Sequence, residues 1–233
     1  MTIEYRTKKD YALALIRDLI VEGELDAGSH VRQSELAARL NISLTPVREA
    51  LRQLEAEGLV AATAHRGVRV RSTNQATLRN IYIARRLLEP YVAARAVANL
   101  TPAHSRAAAE MLRKLERAHS RSDAVAVRRA NYDFHFLLYD LADSQTLVDM
   151  VRKLWGQYPW DVLTEVPGRM SASKREHERI LEAIQTRNAT AAGFACADHL
   201  LHSYMDIARY LDGDALDDPF PVEGVEFVLA PGA

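Results

Sequence analysis

The stretch that decides the fold runs from residue 34 to residue 60 and reads SELAARLNISLTPVREALRQLEAEGLV. Apolar residues recur at helical spacing in both of its halves, which predicts two helices. Ser34 is expected to cap the first helix, and the segment 41–43 makes a tight turn after it. Thr45 and Pro46 lie in the first turn of the second helix, and Gly58 ends it.

The residues on either side complete a small domain. Upstream, an apolar face over 11–20 predicts another helix, which stops before the turn at 26–28. Downstream, the apolar segment 59–62, a turn at 65–67 and the alternation of 68–71 predict a two-stranded hairpin. Three helices followed by a hairpin is the order of a winged helix-turn-helix, although a generic small helical domain with a hairpin has the same coarse order.

The rest of the chain reads as consecutive helices. They are expected at about 74–98, with Pro90 inside, and at 101–119, 122–142, 145–158, 173–186 and 189–211. The predicted fold is therefore mainly α. It has an N-terminal winged helix-turn-helix at 1–72, an all-helical bundle at 73–212 and an acidic tail with prolines and glycines at 213–233.

Composition limits the classes of protein. No apolar run approaches the roughly 18 residues of a membrane span, and the first ten residues are too polar for a secretory signal, so we expect a cytoplasmic protein. Cys196 is the single cysteine, so any metal site relies on histidine, asparagine or carboxylate ligands. Residues 211–233 hold six acids and no base, and the chain without them is basic enough to contact phosphate.

The string 34–60 strongly resembles the DNA-binding motif of GntR-family regulators, through its Thr-Pro-Val-Arg-Glu-Ala-Leu core at 45–51 together with Gly58, Arg66 and Gly67. The remainder, up to the tail, resembles the FCD effector domain of the FadR subfamily. The resemblance implies a DNA-binding transcription regulator, most simply a repressor, and not an enzyme. We expect a homodimer on a pseudo-palindromic operator, controlled by a small organic acid.

The resemblance also suggests which residues meet DNA. Thr45 and Arg48 lie near the leading end of the second motif helix, and Arg48 is the best candidate for a guanine or phosphate contact. Arg52, one turn further, fits a phosphate contact and fits a solvated helix face equally well. Arg66 and Gly67 belong to the wing. Leu44 departs from the family pattern, which has a basic residue there, and so either loses a contact or packs on a thymine methyl.

A second group of residues fits a metal site. Asn131 and His135 are four residues apart on one helix, and His177 and His199 lie on inward faces of two others. One such histidine alone is usually a hydrogen-bonded core residue. Together the four resemble the three-histidine and Asp-or-Asn set of metal-binding FCD domains, which implies a divalent ion, with zinc or nickel expected.

The charge of this predicted site points to its ligand. Three imidazoles and an amide leave a divalent ion uncompensated, so a small carboxylate is expected to complete the coordination shell. Arg85 is a candidate second anchor for that carboxylate, with an ion pair to Glu89 as the equal alternative. Aromatic residues at helical spacing either line the pocket or belong to the core: Tyr132, Tyr139, Trp155 and Trp160.

Two other functions remain open from sequence alone. Three histidines with an open position also describe hydrolytic zinc enzymes, and Asp133, Glu176 and Glu178 are candidate general bases. None of these acids is marked by a motif, and a hydrolase does not explain the winged helix. The other possibility is a DNA-binding protein that responds to no effector.

Overall fold

In the computed structural model, the described part of the chain is 7–21, 23–63, 67–71, 75–158, 162 and 165–212. The chain divides into two compact units. Residues 1–73 and 155–161 form one, called here the winged unit, and residues 74–154 and 162–233 form the other, called the helical unit. The mainly helical fold class predicted from the sequence is confirmed.

The winged unit packs helices on a small antiparallel sheet. Its elements are α1 (Lys8–Val21), β1 (His30–Val31), α2 (Gln33–Leu40), α3 (Leu44–Ala56), β2 (Val60–Thr63) and β3 (Gly67–Val70). The strand order is β1-β3-β2, and Val70 lies opposite Val60. One apolar cluster joins the helices to the inner sheet face and includes Ile16, Val47, Leu51, Leu54 and Val60.

The local signals in the motif act largely as expected, with one exception. Asn41 takes the left-handed conformation after α2, and Gly58 takes it after α3. The prediction that Ser34 caps α2 is wrong, since the helix begins at Gln33 after the extended Arg32. The reason is that Val31 pairs with β3, so the chain stays extended up to Arg32 and turns into helix at once.

The helical unit consists of α4 (Gln75–Ala96), α5 (Pro102–Ser120), α6 (Ala124–Tyr139), α7 (Gln145–Trp155), α8 (Arg169–Gln185) and α9 (Ala189–Asp212). α4 continues through Pro90. Thr101 and His104 form a capping box at the start of α5, and Asp123 caps α6. α8 begins four residues earlier than expected from the sequence, and α7 ends at residue 155 rather than 158. The predicted tail lies outside the described residues, as do residues 160, 161, 163 and 164 of the predicted loop at 160–170.

The core of the helical unit brings four helices together. α4 packs on α9, where the rings of Tyr82 and Tyr204 stack with centroids 4.4 Å apart. Phe134 and Leu138 of α6 share an apolar cluster with Ile180 and Ile184 of α8. Because α4, α6, α8 and α9 all contribute side chains to this interior, polar residues on their inward faces meet one another. Among the helices described, none has a stretch long and apolar enough to cross a bilayer.

Candidate functional site

The leading end of α3 is an exposed polar surface. Ser43 precedes the helix with an extended backbone and makes no side-chain capping hydrogen bond. Leu44, Thr45 and Arg48 are exposed, whereas Pro46 and Val47 are buried and fix the helix to its unit. The residues predicted to meet DNA therefore share one solvent-facing surface, at the end where a helix presents free backbone N–H groups.

Neighbouring elements hold this surface in place. The Nε of Arg48 donates to the side-chain oxygen of Gln33 at the start of α2, at 3.0 Å. Glu55 accepts from the backbone N–H of Ala62, at 2.8 Å, and so ties the strand before the wing to α3. A groove of about 490 Å³ between α3 and the wing strands is lined by both of these contacts and by Arg52 and Gly67. Arg48 stays exposed in this arrangement.

The wing itself is described only in part. Gly67 is exposed with a φ of +85°, a conformation that glycine adopts without strain. Arg66, the predicted wing-tip contact, lies outside the described residues. Arg69 is exposed two residues further along β3, opposite Ala61.

The three predicted histidines meet in the interior of the helical unit. His135 comes from α6, His177 from α8 and His199 from α9, and all are buried. One ring nitrogen of each lies within 4.8 Å of the other two. The closest approach is between the Nε2 atoms of His135 and His177, at 2.9 Å. The sequence thus correctly places these imidazoles together.

The outer nitrogen of His199 contacts a buried carboxylate. Its Nδ1 lies 2.9 Å from Oε2 of Glu176, and the Nδ1 of His202 lies 3.0 Å from Oε1 of the same group. Arg169, which is 1% exposed, pairs with Glu176 and also with Asp206. Glu176 is therefore held from three sides by nitrogen donors.

A second buried carboxylate reaches His135 through a tyrosine. Nδ1 of His135 lies 3.0 Å from the hydroxyl of Tyr139, which donates to Glu89 at 2.7 Å. Arg85 completes the row, because its Nε lies 2.5 Å from Glu89. Of the two expectations for Arg85, the structure contains the ion pair with Glu89.

Burial sets the charge states of these groups. Burial, together with the repulsion between His135 and its neighbouring histidines when they are protonated, holds the pKa of His135 well below the usual value of 6.5. The pKa values of His177 and His199 are lowered by burial as well. Burial alone would raise the pKa of Glu176, but hydrogen bonds from His199 and Arg169 reverse the shift and hold it far below 4.5. At neutral pH the imidazoles are uncharged, as metal ligands must be.

The donor set fits a divalent metal ion. Two imidazole nitrogens on a tetrahedral zinc lie about 3.3 Å apart, given zinc–nitrogen bonds of about 2.0–2.1 Å. The three ring nitrogens, all within 4.8 Å, need only small adjustments to reach such spacing. Outer-nitrogen contacts to a carboxylate and a tyrosine are the second layer that metal-binding histidines usually have.

The other residues considered for the metal site have different surroundings in the structure. Asn131 is buried one turn before His135 on α6, and its role as a ligand stays a prediction. Tyr139 belongs to the polar interior described above, whereas Trp155 is a core residue and Trp160 lies outside the described residues. Glu178 is an exposed partner of Lys174. Arg169 and His202 were missed, because nothing in their local sequence indicates that folding brings them to Glu176.

Comparison with known proteins relates both units to one group of regulators. A family model described as the FCD domain matches residues 80–202, and one described as bacterial regulatory proteins, gntR family, matches residues 9–70. The HTH-type transcriptional repressor RspR of Escherichia coli (strain K12) is 28% identical over 192 residues, which are 80% of this chain and 82% of RspR.

A second relative is similar to this chain both in sequence and in its solved structure. The HTH-type transcriptional regulator McbR of Escherichia coli (strain K12) is 31% identical over 133 residues, which are 57% of this chain and 60% of McbR. A solved structure of E. coli McbR/YncC has a TM-score of 0.81 and 23% identity, and covers 89% of this chain and 100% of that one.

Proposed function

Because the chain belongs to the GntR family of bacterial regulatory proteins and carries an FCD domain, it is a transcriptional regulator, and we propose that a small carboxylate bound at a metal site controls its affinity for operator DNA. The observation that carries the proposal is the buried cluster of His135, His177 and His199. An exposed recognition surface in the other unit supplies the output.

The DNA contacts in this proposal start from α3. Arg48 reads a guanine edge or holds a phosphate, Thr45 contacts the backbone at the helix start, and Arg52 holds a phosphate further along. Gly67 and Arg66 bring the wing to the adjacent minor groove. The exposure of Thr45, Arg48 and Arg52 supports this assignment, as does the anchoring of Arg48 by Gln33.

The sensing half rests on charge. Three histidines, with Asn131 as the fourth ligand, would hold a divalent ion, with zinc or nickel the best candidates for this nitrogen-rich set. Bound there, the ion supplies a Lewis-acid anchor for a carboxylate. The ion pair Arg85–Glu89 is neutral overall, and Arg169 is shared between Glu176 and the partly exposed Asp206, so these groups leave most of the charge of the ion to be balanced by the effector. Arg85 is already paired with Glu89, so it would donate hydrogen bonds to both Glu89 and the effector if it bound the effector.

The regulatory step follows from linkage. Two copies of the chain would present two α3 helices to half-sites about one DNA turn apart, on a pseudo-palindromic operator. An effector that favours a helix arrangement unsuited to this spacing weakens DNA binding by the factor by which DNA weakens effector binding. Relief of repression by the effector is the proposed sign. We propose that these steps take place in the cytoplasm, where the operator DNA is.

A catalytic role is disfavoured by the state of the nearby acids. A general base needs an available carboxylate close to the reacting water. Glu176 is occupied by Arg169, His199 and His202, and Glu178 is an exposed residue beside Lys174. We therefore propose no enzymatic activity, in keeping with the regulators that the chain resembles.

Gel shifts with the DNA upstream of the protein's own gene test the proposal. The protein is prepared metal-free or loaded with Zn²⁺ or Ni²⁺, and a panel of small mono-, di- and hydroxycarboxylic acids is added. Arg48→Ala should abolish the shift, whereas Arg106→Ala, an exposed arginine of α5, should leave it intact. His135→Ala should keep DNA binding and lose the response to acids, and His119→Ala is its matched control. A normal response from His135→Ala would refute the metal-anchored pocket.

A further inference from the structure

The histidines differ in what their outer nitrogens contact. Nδ1 of His199 faces the carboxylate of Glu176, and Nδ1 of His135 faces the hydroxyl of Tyr139. Nδ1 of His177 lies 3.5 Å from the hydroxyl of Ser173, the longest of these contacts. Since a neutral imidazole carries one N–H, each contact affects which nitrogen keeps a free lone pair.

Hydrogen counting assigns the tautomer of His135. A tyrosine hydroxyl has a single hydrogen, and Tyr139 donates it to Glu89 at 2.7 Å. Glu89 is an acceptor only, because its carboxylate is paired with Arg85 through two contacts of 2.5 and 3.3 Å. The contact between His135 and Tyr139 therefore needs a hydrogen from Nδ1 of the histidine. Nε2 of His135 is then left with a lone pair.

The same counting extends to His177. Its Nε2 lies 2.9 Å from Nε2 of His135, and two facing lone pairs at that distance would repel each other. In the metal-free protein the hydrogen therefore lies on Nε2 of His177, and the hydroxyl of Ser173 can donate to its Nδ1. A hydroxyl accepts as readily as it donates, so His177 is the histidine that can change tautomer with little loss.

We propose that Tyr139 and Glu89 are positioning residues for the metal site, because together they fix His135 in the tautomer whose Nε2 lone pair faces the other histidines. The inference rests on the metal site proposed above. It gives Tyr139 and Glu89 a role that neither has as a direct ligand. Glu89 contacts His135 through the hydroxyl of Tyr139, so part of its influence should be lost when that hydroxyl is removed.

Ring-nitrogen chemical shifts of the metal-free protein give the first test. In ¹⁵N-labelled protein, His135 and His199 should be protonated at Nδ1, and His177 at Nε2. Tyr139→Phe should convert His135 to a mixture of tautomers and leave His199 unchanged. Protonation of His135 mainly at Nε2 in the wild-type protein would overturn the proposal, whether or not the protein binds any metal.

Metal affinity gives the second test, measured by competition for Zn²⁺ with a chromophoric chelator and by the visible bands of bound Co²⁺. Tyr139→Phe should weaken Zn²⁺ binding by about 10- to 100-fold and alter the Co²⁺ spectrum. The matched control is Tyr82→Phe, which removes another buried tyrosine hydroxyl from the helical unit and should change neither readout.

A double substitution tests the relay itself. Glu89→Gln should weaken Zn²⁺ binding in the wild-type background and have a clearly smaller effect in Tyr139→Phe, where only the loss of the counter-ion of Arg85 remains. Equal effects of Tyr139→Phe and Tyr82→Phe, or full additivity of Tyr139→Phe and Glu89→Gln, would overturn the proposal. If the wild-type protein binds no Zn²⁺, Co²⁺ or Ni²⁺, the proposed metal-dependent function fails, while the tautomer measurement still decides the relay.

Discussion

The two units carry their candidate sites in opposite ways. In the winged unit, Thr45, Arg48 and Arg52 are exposed and stand on a helix whose other face forms the apolar core. In the helical unit, His135, His177 and His199 are themselves interior residues, and their partners Glu89 and Glu176 are buried as well. A DNA surface must stay open to a large ligand, whereas a small-ligand site can be enclosed.

This difference has an energetic consequence. A side chain exposed on a helix can be replaced at a cost of roughly 0.5 kcal/mol or less. A buried charge that loses its partner costs far more, since no water is there to solvate it. We therefore expect substitutions in the winged unit to change DNA affinity with little change in stability, and substitutions in the helical unit to change both together.

The largest expected effect comes from Arg169. Arg169→Met leaves Glu176 buried without its main counter-ion, and should lower the free energy of unfolding of the helical unit by about 3–5 kcal/mol. Denaturant unfolding of the metal-free protein measures this free energy. Arg48→Ala, a substitution on the exposed surface of α3, is the control. Arg169→Met/Glu176→Gln should recover part of the loss. Equal stability of Arg169→Met and Arg48→Ala would contradict the expected difference between the buried and the exposed site.

Acid should lower the stability of the protein mainly by protonating the buried histidines. In the folded state the pKa of His177 is well below its usual value of about 6.5, so the unfolded chain binds more protons below pH 6.5. The stabilising effect of the neutral imidazole is therefore complete above pH 6.5 and is lost as pH falls toward the folded-state pKa.

The free energy of unfolding can change with pH by at most about 1.4 kcal/mol per pH unit for each buried histidine. Unfolding free energies measured in chelator between pH 7 and pH 5 should decline, and His177→Gln should reduce the slope. Glu176 does not mask the effect, because its lowered pKa makes its own contribution disappear only at much lower pH. A flat profile over this range would contradict the burial of neutral imidazoles.

The smallest expected effect concerns Leu44, which is 40% exposed at the start of α3. Leu44→Arg should tighten operator binding at low salt and steepen the salt dependence of the affinity by about one unit. Leu87→Arg is the matched control, since Leu87 is an exposed leucine of α4 in the helical unit. An unchanged slope with Leu44→Arg would show that this position lies away from the DNA backbone.

The sequence was most informative where signals are local. The turn at 41–43 and the end of α3 at Gly58 depend on neighbouring residues, and both appear in the structure. The start of α2 was wrong because pairing of β1 with β3 overrides the capping preference of Ser34. The spacing of the three histidines, together with the family resemblance, predicted that they would lie close to one another.

The second layer of the site could not be predicted in the same way. Glu89 and Tyr139 are 50 residues apart in the chain, and Arg169 and Asp206 are 37 apart. Each is an ordinary polar residue in its own helix, and its partner is decided by how α4, α6, α8 and α9 pack. Glu176 was considered only as a general base, although its place beside Arg169 and His199 makes it a hydrogen-bond acceptor instead.

Pro90 follows Glu89 directly and gives α4 a mechanical property. Proline has no N–H, so one hydrogen bond of the regular helical series cannot form at Pro90, and the helix bends there more easily than elsewhere. From Pro90 back to the first residue of α4 is about 22 Å at 1.5 Å per residue. A bend of about 10° at that point would swing the beginning of α4 by about 4 Å, so a small adjustment beside Glu89 is amplified by leverage along the helix.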